Sequence, residues 1–273
     1  MIISQNGTLE WETQMSIKSC SFSLEHYHEI LQAAKNSGYK FLFFEDEQYT
    51  ADERCCLLRH DIDYTPEKAI EFGRIEADLG IQSTYFFQVV AKTYNIREQA
   101  VYNVVQELVE MGHKIALHFD VTWQRNSSWD TLPILCAHER KLLALLTDID
   151  IPDIVSFHNP GTYADKVIDV NVEGIHHTYE PRYFSRFKYL SDSQGWYEGC
   201  VCKLFESAKY PRIQLLTHPY IWWSKPKEDF IEDMATLINL RRDELTEYMI
   251  THHPVCSKNR VRLQDLVRKY GGN

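Results

Sequence analysis

The segment from Cys55 to Asp63 reads CCLLRHDID, and it decides the fold because four apolar residues lead directly into charged ones. A short apolar run of this kind is typical of a strand buried on both faces, as the strands of a parallel sheet are. Thr65 and Pro66 follow, and these residue types are preferred at the N-cap and at the first position of a helix. The stretch therefore predicts a buried strand, a polar turn and a helix.

The same alternation extends outward along the chain in both directions. We predict strands at 41–44, 55–58, 83–90, 114–117, 154–157 and 213–217. We predict helices at 24–37, 65–80, 96–111, 129–146, 230–248 and 263–270. Alternating strands and helices indicate a parallel sheet covered by helices, either open or closed into a barrel. No internal repeat or Pro/Gly-rich linker divides the chain, so we expect one domain over residues 1–273 with its core at about 20–250.

The composition is that of an ordinary globular protein, with 44% hydrophobic and 25% charged residues among 273. The net charge of -10 repels phosphate backbones, so we expect no nucleic-acid partner. The N-terminus has no charged segment followed by an apolar one, and no run approaches the roughly 18 apolar residues of a transmembrane helix. We therefore expect a cytoplasmic protein without a membrane span.

The seven cysteines are odd in number and irregularly spaced, which argues against a disulfide framework. Cys200 and Cys202 form a lone C-x-C pattern. On sequence alone, reduced thiols are a better interpretation of this pair than a zinc site.

Four of the apolar runs end in distinctive polar residues. Because the carboxyl ends of parallel strands meet at one edge of a sheet, we expect these side chains to converge. They are Asp61, Asp63, His118, His158 and His218. Two Asp and three His suit one divalent ion held by N and O ligands, with an acid and a base left over. Each residue alone has a plainer interpretation as a turn, helix-start or structural residue, but the recurrence of the placement favours a site.

These residues lie in motifs that resemble those of the polysaccharide deacetylase superfamily, also described as NodB-homology or carbohydrate esterase family 4-like. In chain order, the similar segments are 58–64 (LRHDIDY), 112–118 (GHKIALH), 156–161 (SFHNPG), 189–196 (YLSDSQGW) and 215–219 (LLTHP). The resemblance implies a single-domain, distorted (β/α)7-type barrel and a metal-dependent deacetylase that removes an N-acyl group, usually acetyl, from a sugar. The subgroup most resembled is that of surface-polysaccharide gene clusters, which implies a cytoplasmic sugar or nucleotide-sugar intermediate as substrate.

The resemblance also implies roles for four of the convergent residues. Asp61 corresponds to the catalytic base and His218 to the general acid, while Asp63 and His118 correspond to metal ligands. We expect one divalent ion, zinc first, with other first-row ions as alternatives.

The chain departs from the family pattern at the remaining metal ligand. The second metal His of the family would fall four residues after His118, where this chain has Thr122. The third motif, in turn, has His158 where the family usually has Arg. We hypothesise that His158 replaces the missing ligand, and Asp120 is the competing candidate.

We expect substrate contacts from polar and aromatic residues of the motifs. They are Arg59, Tyr64, Asp120, Asn159, Asp192, Trp196 and Trp222. Arg59 or His60 would orient Asp61. Trp196 and Trp222 are candidates for stacking on a sugar ring, with core packing as the alternative.

Three other functions stay open. Residues 61–65 (DIDYT) match the nucleophile motif of haloacid dehalogenase-type phosphatases, but that reading leaves the three histidines unexplained. The replacement of a metal His makes a non-catalytic sugar-binding relative the second alternative. The third is a C–N hydrolase acting on a non-sugar amide, because pocket loops rather than the fold determine the substrate.

Overall fold

The computed structural model describes residues 21–46, 53–122, 129–160, 167–172, 174–193, 195–223 and 230–271. The helices are α1 (Leu24–Asn36), α2 (Ala69–Asp78), α3 (Gln99–Glu110), α4 (Leu132–Thr147), α5 (Pro181–Phe184), α6 (Val201–Ser207), α7 (Phe230–His252), α8 (Pro254–Lys258) and α9 (Arg260–Gly271). The strands are β1 (Lys40–Leu42), β2 (Cys55–Ile62), β3 (Thr84–Phe87), β4 (Lys114–Asp120), β5 (Ile154–His158), β6 (His176–His177), β7 (Lys188–Ser191) and β8 (Arg212–Thr217).

All of these strands pair in parallel in one sheet. Seven of them follow the order β6-β5-β4-β3-β2-β8-β7, and β1 pairs with the start of β2. The helices alternate with the strands along the chain, which confirms the predicted (β/α)7-type parallel architecture. Within the described residues, β6 and β7 are the two edges of this path.

The bounds of several elements differ from the predicted ones. β2 and β4 run on through Ile62 and Asp120, because polar residues near their ends, among them Asp61 and His118, are buried and stay in the ladder. The predicted strand at 83–90 is restricted to Thr84–Phe87. The predicted helix at 65–80 begins with a 3-10 turn at Pro66–Lys68 before α2.

The side chains of β2 alternate between two apolar clusters, as the period of a strand requires. Cys56, Leu58 and Ile62 belong to the large core shared with the helices. Cys55 and Leu57 belong to a smaller cluster on the other face of the sheet. The odd-numbered residues that follow therefore point away from the helices, into the face that holds the candidate site.

A buried carboxylate joins the helix layer to the sheet. Glu76 of α2 is completely buried. His60 Nε2 lies 2.9 Å from its Oε1 atom, and Ser83 Oγ donates to its Oε2 atom at 2.6 Å. The other ring nitrogen of His60, Nδ1, lies 2.7 Å from Thr217 Oγ1. His60 thus faces the helices, so the expectation that it orients Asp61 is wrong on geometry.

The long helix α7 passes beside the carboxyl end of β2. The Arg241 side chain donates to the backbone carbonyl of Tyr64 at 2.9 Å and to Glu67 Oε2 at 3.3 Å. No helix among the described residues combines the length and the apolar character needed to cross a bilayer.

Candidate metal and catalytic site

Three ligand-type side chains from three strand ends meet at the carboxyl edge of the sheet. They belong to Asp63, His118 and His158, and their donor atoms all lie within 4.8 Å of one another. Asp63 Oδ1 is 3.1 Å from His118 Nε2 and 3.0 Å from His158 Nδ1. The two ring nitrogens are 3.2 Å apart, which is close to the roughly 3.3 Å that two imidazoles on one tetrahedral zinc ion adopt.

A hydrogen-bond chain selects the tautomer of His118. His118 Nδ1 lies 2.5 Å from Ser156 Oγ, and Ser156 Oγ donates to Asp61 Oδ1 at 3.3 Å. Since the hydroxyl hydrogen is given to Asp61, Ser156 accepts from His118 Nδ1–H. His118 therefore presents the lone pair of Nε2 to the cluster, as a metal ligand must, and its outer nitrogen is held by a partner as in known metal sites.

The outer nitrogen of His158 also has a partner. Asn159 Nδ2 lies 2.8 Å from His158 Nε2. A half-turn of the Asn159 amide brings its oxygen to the same point, where it can accept a proton from Nε2 while Nδ1 binds a cation. Asn159 has a left-handed backbone (φ 48°), which Asn tolerates better than most residues. Asn159 thus contacts a ligand-type residue, and its predicted contact with a substrate stays a prediction.

The electrostatics keep Asp63 charged. Burial alone would raise the pKa of Asp63, but the rings of His118 and His158 beside its carboxylate outweigh burial and hold the pKa far below its ordinary value. One carboxylate and two imidazoles whose outer nitrogens have hydrogen-bond partners fit a single divalent ion of the zinc type.

Asp120 lies outside this group. Its Oδ1 atom accepts hydrogen bonds from the backbone N and the Oγ1 atom of Thr122, both at 2.7 Å. It pairs with His158 in the strand register, but its carboxylate is not among the convergent ligand atoms. Of the two competing third ligands, the structure brings His158 and not Asp120 to the cluster.

Asp61 is held on both oxygens. Arg59 donates to Asp61 Oδ2 at 2.8 Å, and Ser156 donates to Oδ1. Burial raises the pKa of Asp61, but nearby positive charge, first of all that of Arg59, lowers it below the ordinary value. Arg59 itself is completely buried, so it positions Asp61 and is not exposed to a substrate as we had expected.

His218 follows β8 and is oriented by Asp192. His218 Nδ1 is 2.6 Å from Asp192 Oδ1, and Asp192 Oδ2 accepts from the backbone N of His218 at 2.8 Å. The other ring nitrogen of His218 lies 3.8 Å from Asp63 Oδ2. Burial lowers the pKa of His218, but the charge and hydrogen bond of Asp192 outweigh burial and raise it to about 9.

Asp192 and Trp222, both expected to contact the substrate, instead support His218. Trp222 is completely buried, and its Nε1–H donates to Asp192 Oδ2 at 2.7 Å. Both oxygens of Asp192 are therefore occupied by His218 and Trp222.

Trp196 is 4% exposed and lies against Phe22. Neither indole offers a free face to a sugar, because both pack in the core, which was the alternative interpretation.

Tyr64 borders the site from the turn after β2. Its ring meets the edge of Tyr220 at 4.7 Å between centroids, and it is half buried. Burial, and then the Asp63 charge, raise the pKa of Tyr64. Its predicted contact with a substrate stays a prediction.

Sequence reasoning missed the residues that hold Arg59 and Asp61. Thr178 and Gln214 both accept hydrogen bonds from Arg59, and Tyr179 lies 3.4 Å from it. These contacts join distant parts of the chain and left no sequence signal. Ser156 did leave one, since it lies two residues before His158 on the same face of β5 and opposite His118 in the register.

Fold and site together define a parallel α/β protein with a candidate centre of two His and one Asp. No protein-family profile matches the chain, and no curated protein matches it.

Several solved structures are similar in backbone. One is the catalytic domain of a peptidoglycan N-acetylglucosamine deacetylase from Eubacterium rectale, with 13% identity, a TM-score of 0.44 and 74% of this chain and 90% of that chain covered. Another is a family 4 carbohydrate esterase from Bacillus anthracis, with 13% identity, a TM-score of 0.40 and coverage of 78% and 85%. A third is a CE4 family pseudoenzyme from Bacillus anthracis, with 11% identity, a TM-score of 0.39 and coverage of 71% and 63%. At such identities and TM-scores, the function has to be argued from the residues of this chain.

Proposed function

We propose that the protein is a metal-dependent hydrolase that removes an N-acyl group, N-acetyl first, from a sugar or sugar intermediate. One observation carries the proposal. A carboxylate and an imidazole, each held by its own buried partner, lie beside a single ion-sized group of ligands formed by Asp63, His118 and His158.

Asp61 is suited to act as the general base. A divalent ion bound by the three ligands would supply a Lewis acid for the acyl carbonyl and would lower the pKa of water. Arg59 and Ser156 keep the Asp61 carboxylate charged and stop it from rotating. Asp61 can therefore accept a proton from the attacking water in a fixed direction, which is help of about 10²–10⁴-fold in rate.

His218 is suited to act as the general acid. An amide is hard to cleave partly because its amine leaves poorly without a proton. Asp192 keeps His218 protonated at neutral pH and holds its Nδ1 atom. The Nε2–H group is then left to face the site and to donate to the departing nitrogen.

The same geometry weighs against a phosphatase of the haloacid dehalogenase type. That reading uses Asp61 as a nucleophile and has no use for the three histidines. Here His118 and His158 converge with Asp63 as a group of metal ligands and His218 faces the same group, an arrangement that a nucleophilic Asp61 does not use.

The test combines elemental analysis with amine release from a panel of N-acetylated sugars, nucleotide sugars and simple amides. We expect one ion per Asp63 site and release from a sugar substrate, with Asp61→Asn keeping the ion but losing about 10²–10⁴ in rate. Equal rates for Asp61→Asn and the wild type would refute the proposed base. Sugar binding without release would favour the non-catalytic relative, and release from simple amides alone would favour the non-sugar hydrolase. A role in surface-polysaccharide synthesis in the cytoplasm stays a prediction.

A further inference from the structure

A second group of ligand-type side chains lies in the helix layer and shares no residue with the Asp63 group. It consists of His26 in the first turn of α1, Cys200 immediately before α6, and Cys202 within α6. Their ligand atoms also lie within 4.8 Å of one another. His26 Nε2 is 3.1 Å from Cys200 Sγ, and the two sulfur atoms are 2.7 Å apart.

The imidazole of this group is oriented by a carboxylate. Glu29 Oε2 lies 2.7 Å from His26 Nδ1, on the side of the ring opposite the sulfurs. A carboxylate in that position favours a proton on Nδ1 and leaves the lone pair of Nε2 facing the thiols. A carboxylate, an imidazole and a cation in that sequence form a recurrent outer arrangement of metal sites.

The three groups are also shielded from water. The exposed fraction is 9% for His26, 6% for Cys200 and 9% for Cys202. Two sulfur ligands and one imidazole are the soft to borderline set that zinc prefers. Around a tetrahedral zinc ion such donor atoms stand about 3.3–3.8 Å apart. His26 Nε2 and Cys200 Sγ are close to this spacing, and the two sulfurs would have to separate by about 1 Å.

We propose that His26, Cys200 and Cys202 bind a second zinc ion, which cross-links α1 to α6. The C-x-C pattern alone did not indicate this, because the third ligand comes from a helix 174 positions away in the chain. The cross-link would fasten the first turn of α1, whose flanking backbone is bonded to Trp223 through Leu24 N–H and Phe22 O at 3.2 and 3.1 Å. Trp223 directly follows Trp222, which donates to Asp192. The second ion would therefore restrain the segment that positions Asp192 and, through it, His218.

Metal content tests the stoichiometry. The full chain would be purified under reducing conditions with zinc present, and the ions per chain counted by elemental analysis. We expect two for the wild type and for Cys256→Ser, a control because Cys256 is a partly exposed thiol in α8. The paired variant Cys200→Ser/Cys202→Ser should lose one ion, and Asp63→Ala/His158→Ala should lose the other.

Cobalt substitution tests the ligands directly. Sulfur ligation of Co²⁺ gives an intense charge-transfer band in the near ultraviolet, which an Asp/His site does not give. We expect this band in the wild type and in Asp63→Ala/His158→Ala, and its loss in Cys200→Ser/Cys202→Ser. His26→Gln, which leaves both thiols in place, should keep a band of changed shape with weakened binding, so the test survives if the serine variant folds poorly.

Two results would overturn the second site. One is a cobalt-loaded wild type without the band. The other is a wild type whose thiols are all reduced by intact mass but which holds only one ion per chain after exposure to zinc. The band depends only on sulfur ligation, so its absence leaves the deacetylase proposal standing, and failure to release amine likewise leaves the band unaffected.

Discussion

Replacing Asp192 by Asn should move the alkaline limb of the pH–rate profile to lower pH. Asp192 accepts from His218 Nδ1 at 2.6 Å and is the main reason that the pKa of His218 rises to about 9 in spite of burial. A general acid works only while protonated, so wild-type activity should fall as the pH rises through the pKa of His218. Asn keeps the size of the side chain and one acceptor oxygen but removes the negative charge.

The size of the shift follows from the hydrogen bond. Hydrogen bonds to charged groups contribute about 1.5–3 kcal/mol, and one pKa unit corresponds to about 1.4 kcal/mol. The alkaline limb of kcat/KM should therefore move down by about 1–2 pH units in Asp192→Asn. A bound cation acts on His218 in both proteins, so the comparison of the two profiles isolates the contribution of Asp192.

The matched control is Trp222→Phe, which removes one donor to Asp192 Oδ2 but leaves the charge beside His218. Its alkaline limb should stay within a few tenths of the wild-type position, although the fold loses about 1 kcal/mol with the hydrogen bond and more with the cavity that the smaller ring leaves. Elemental analysis checks that both variants keep the metal. An Asp192→Asn profile whose alkaline limb coincides with that of the wild type would refute the assignment of His218 as the acid.

Three further predictions concern the ligands and the buried network. His158→Ala should abolish stoichiometric metal binding at the Asp63 site while Asp120→Asn retains it, and a metal-loaded His158→Ala protein would return the ligand role to Asp120. Ser156→Ala should weaken metal binding by about 10–100-fold in a competition titration with a chelator, because it frees the outer nitrogen of His118; unchanged affinity would contradict the tautomer argument. Glu76→Gln should lower the free energy of unfolding by about 1–3 kcal/mol at neutral pH in a urea titration. Burial raises the pKa of Glu76, but the opposing effect of the His60 charge is larger, so the pKa lies below its ordinary value. The stabilisation by the charged carboxylate is therefore present above the unfolded pKa and lost on acidification. A loss of stability in Glu76→Gln that persists at acid pH would argue against a charged Glu76.

The convergence of the strand ends could be predicted because it depends only on the direction of the strands. The apolar runs before Asp61, His118, His158 and His218 indicated parallel neighbours, and parallel neighbours carry their ends to one edge. The same reasoning could not show that β2 continues through its polar residues, since that depends on the Arg59–Asp61 pair being buried together with its partners.

Whether the remaining polar and aromatic residues of the motifs contact a substrate or support other side chains could not be predicted. Whether an indole such as Trp222 packs in the core or stacks on a ligand depends on what covers it, and Phe22 and Tyr27 cover it here. Asp192 looked like a groove residue because its motif gave no sign that both of its oxygens would be taken by His218 and Trp222. Such assignments need three-dimensional neighbours from distant segments.

The position of the proposed third ligand has a geometric explanation. A histidine at the end of β5 can reach the same point as a ligand placed after β4, because His158 and Asp120 are register partners and the donor atoms converge. Arg59 places a cation beside Asp61 from two residues earlier on β2, on the same face of the strand. If that charge holds the proposed base, Arg59→Lys should retain more activity than Arg59→Met in the amine-release assay.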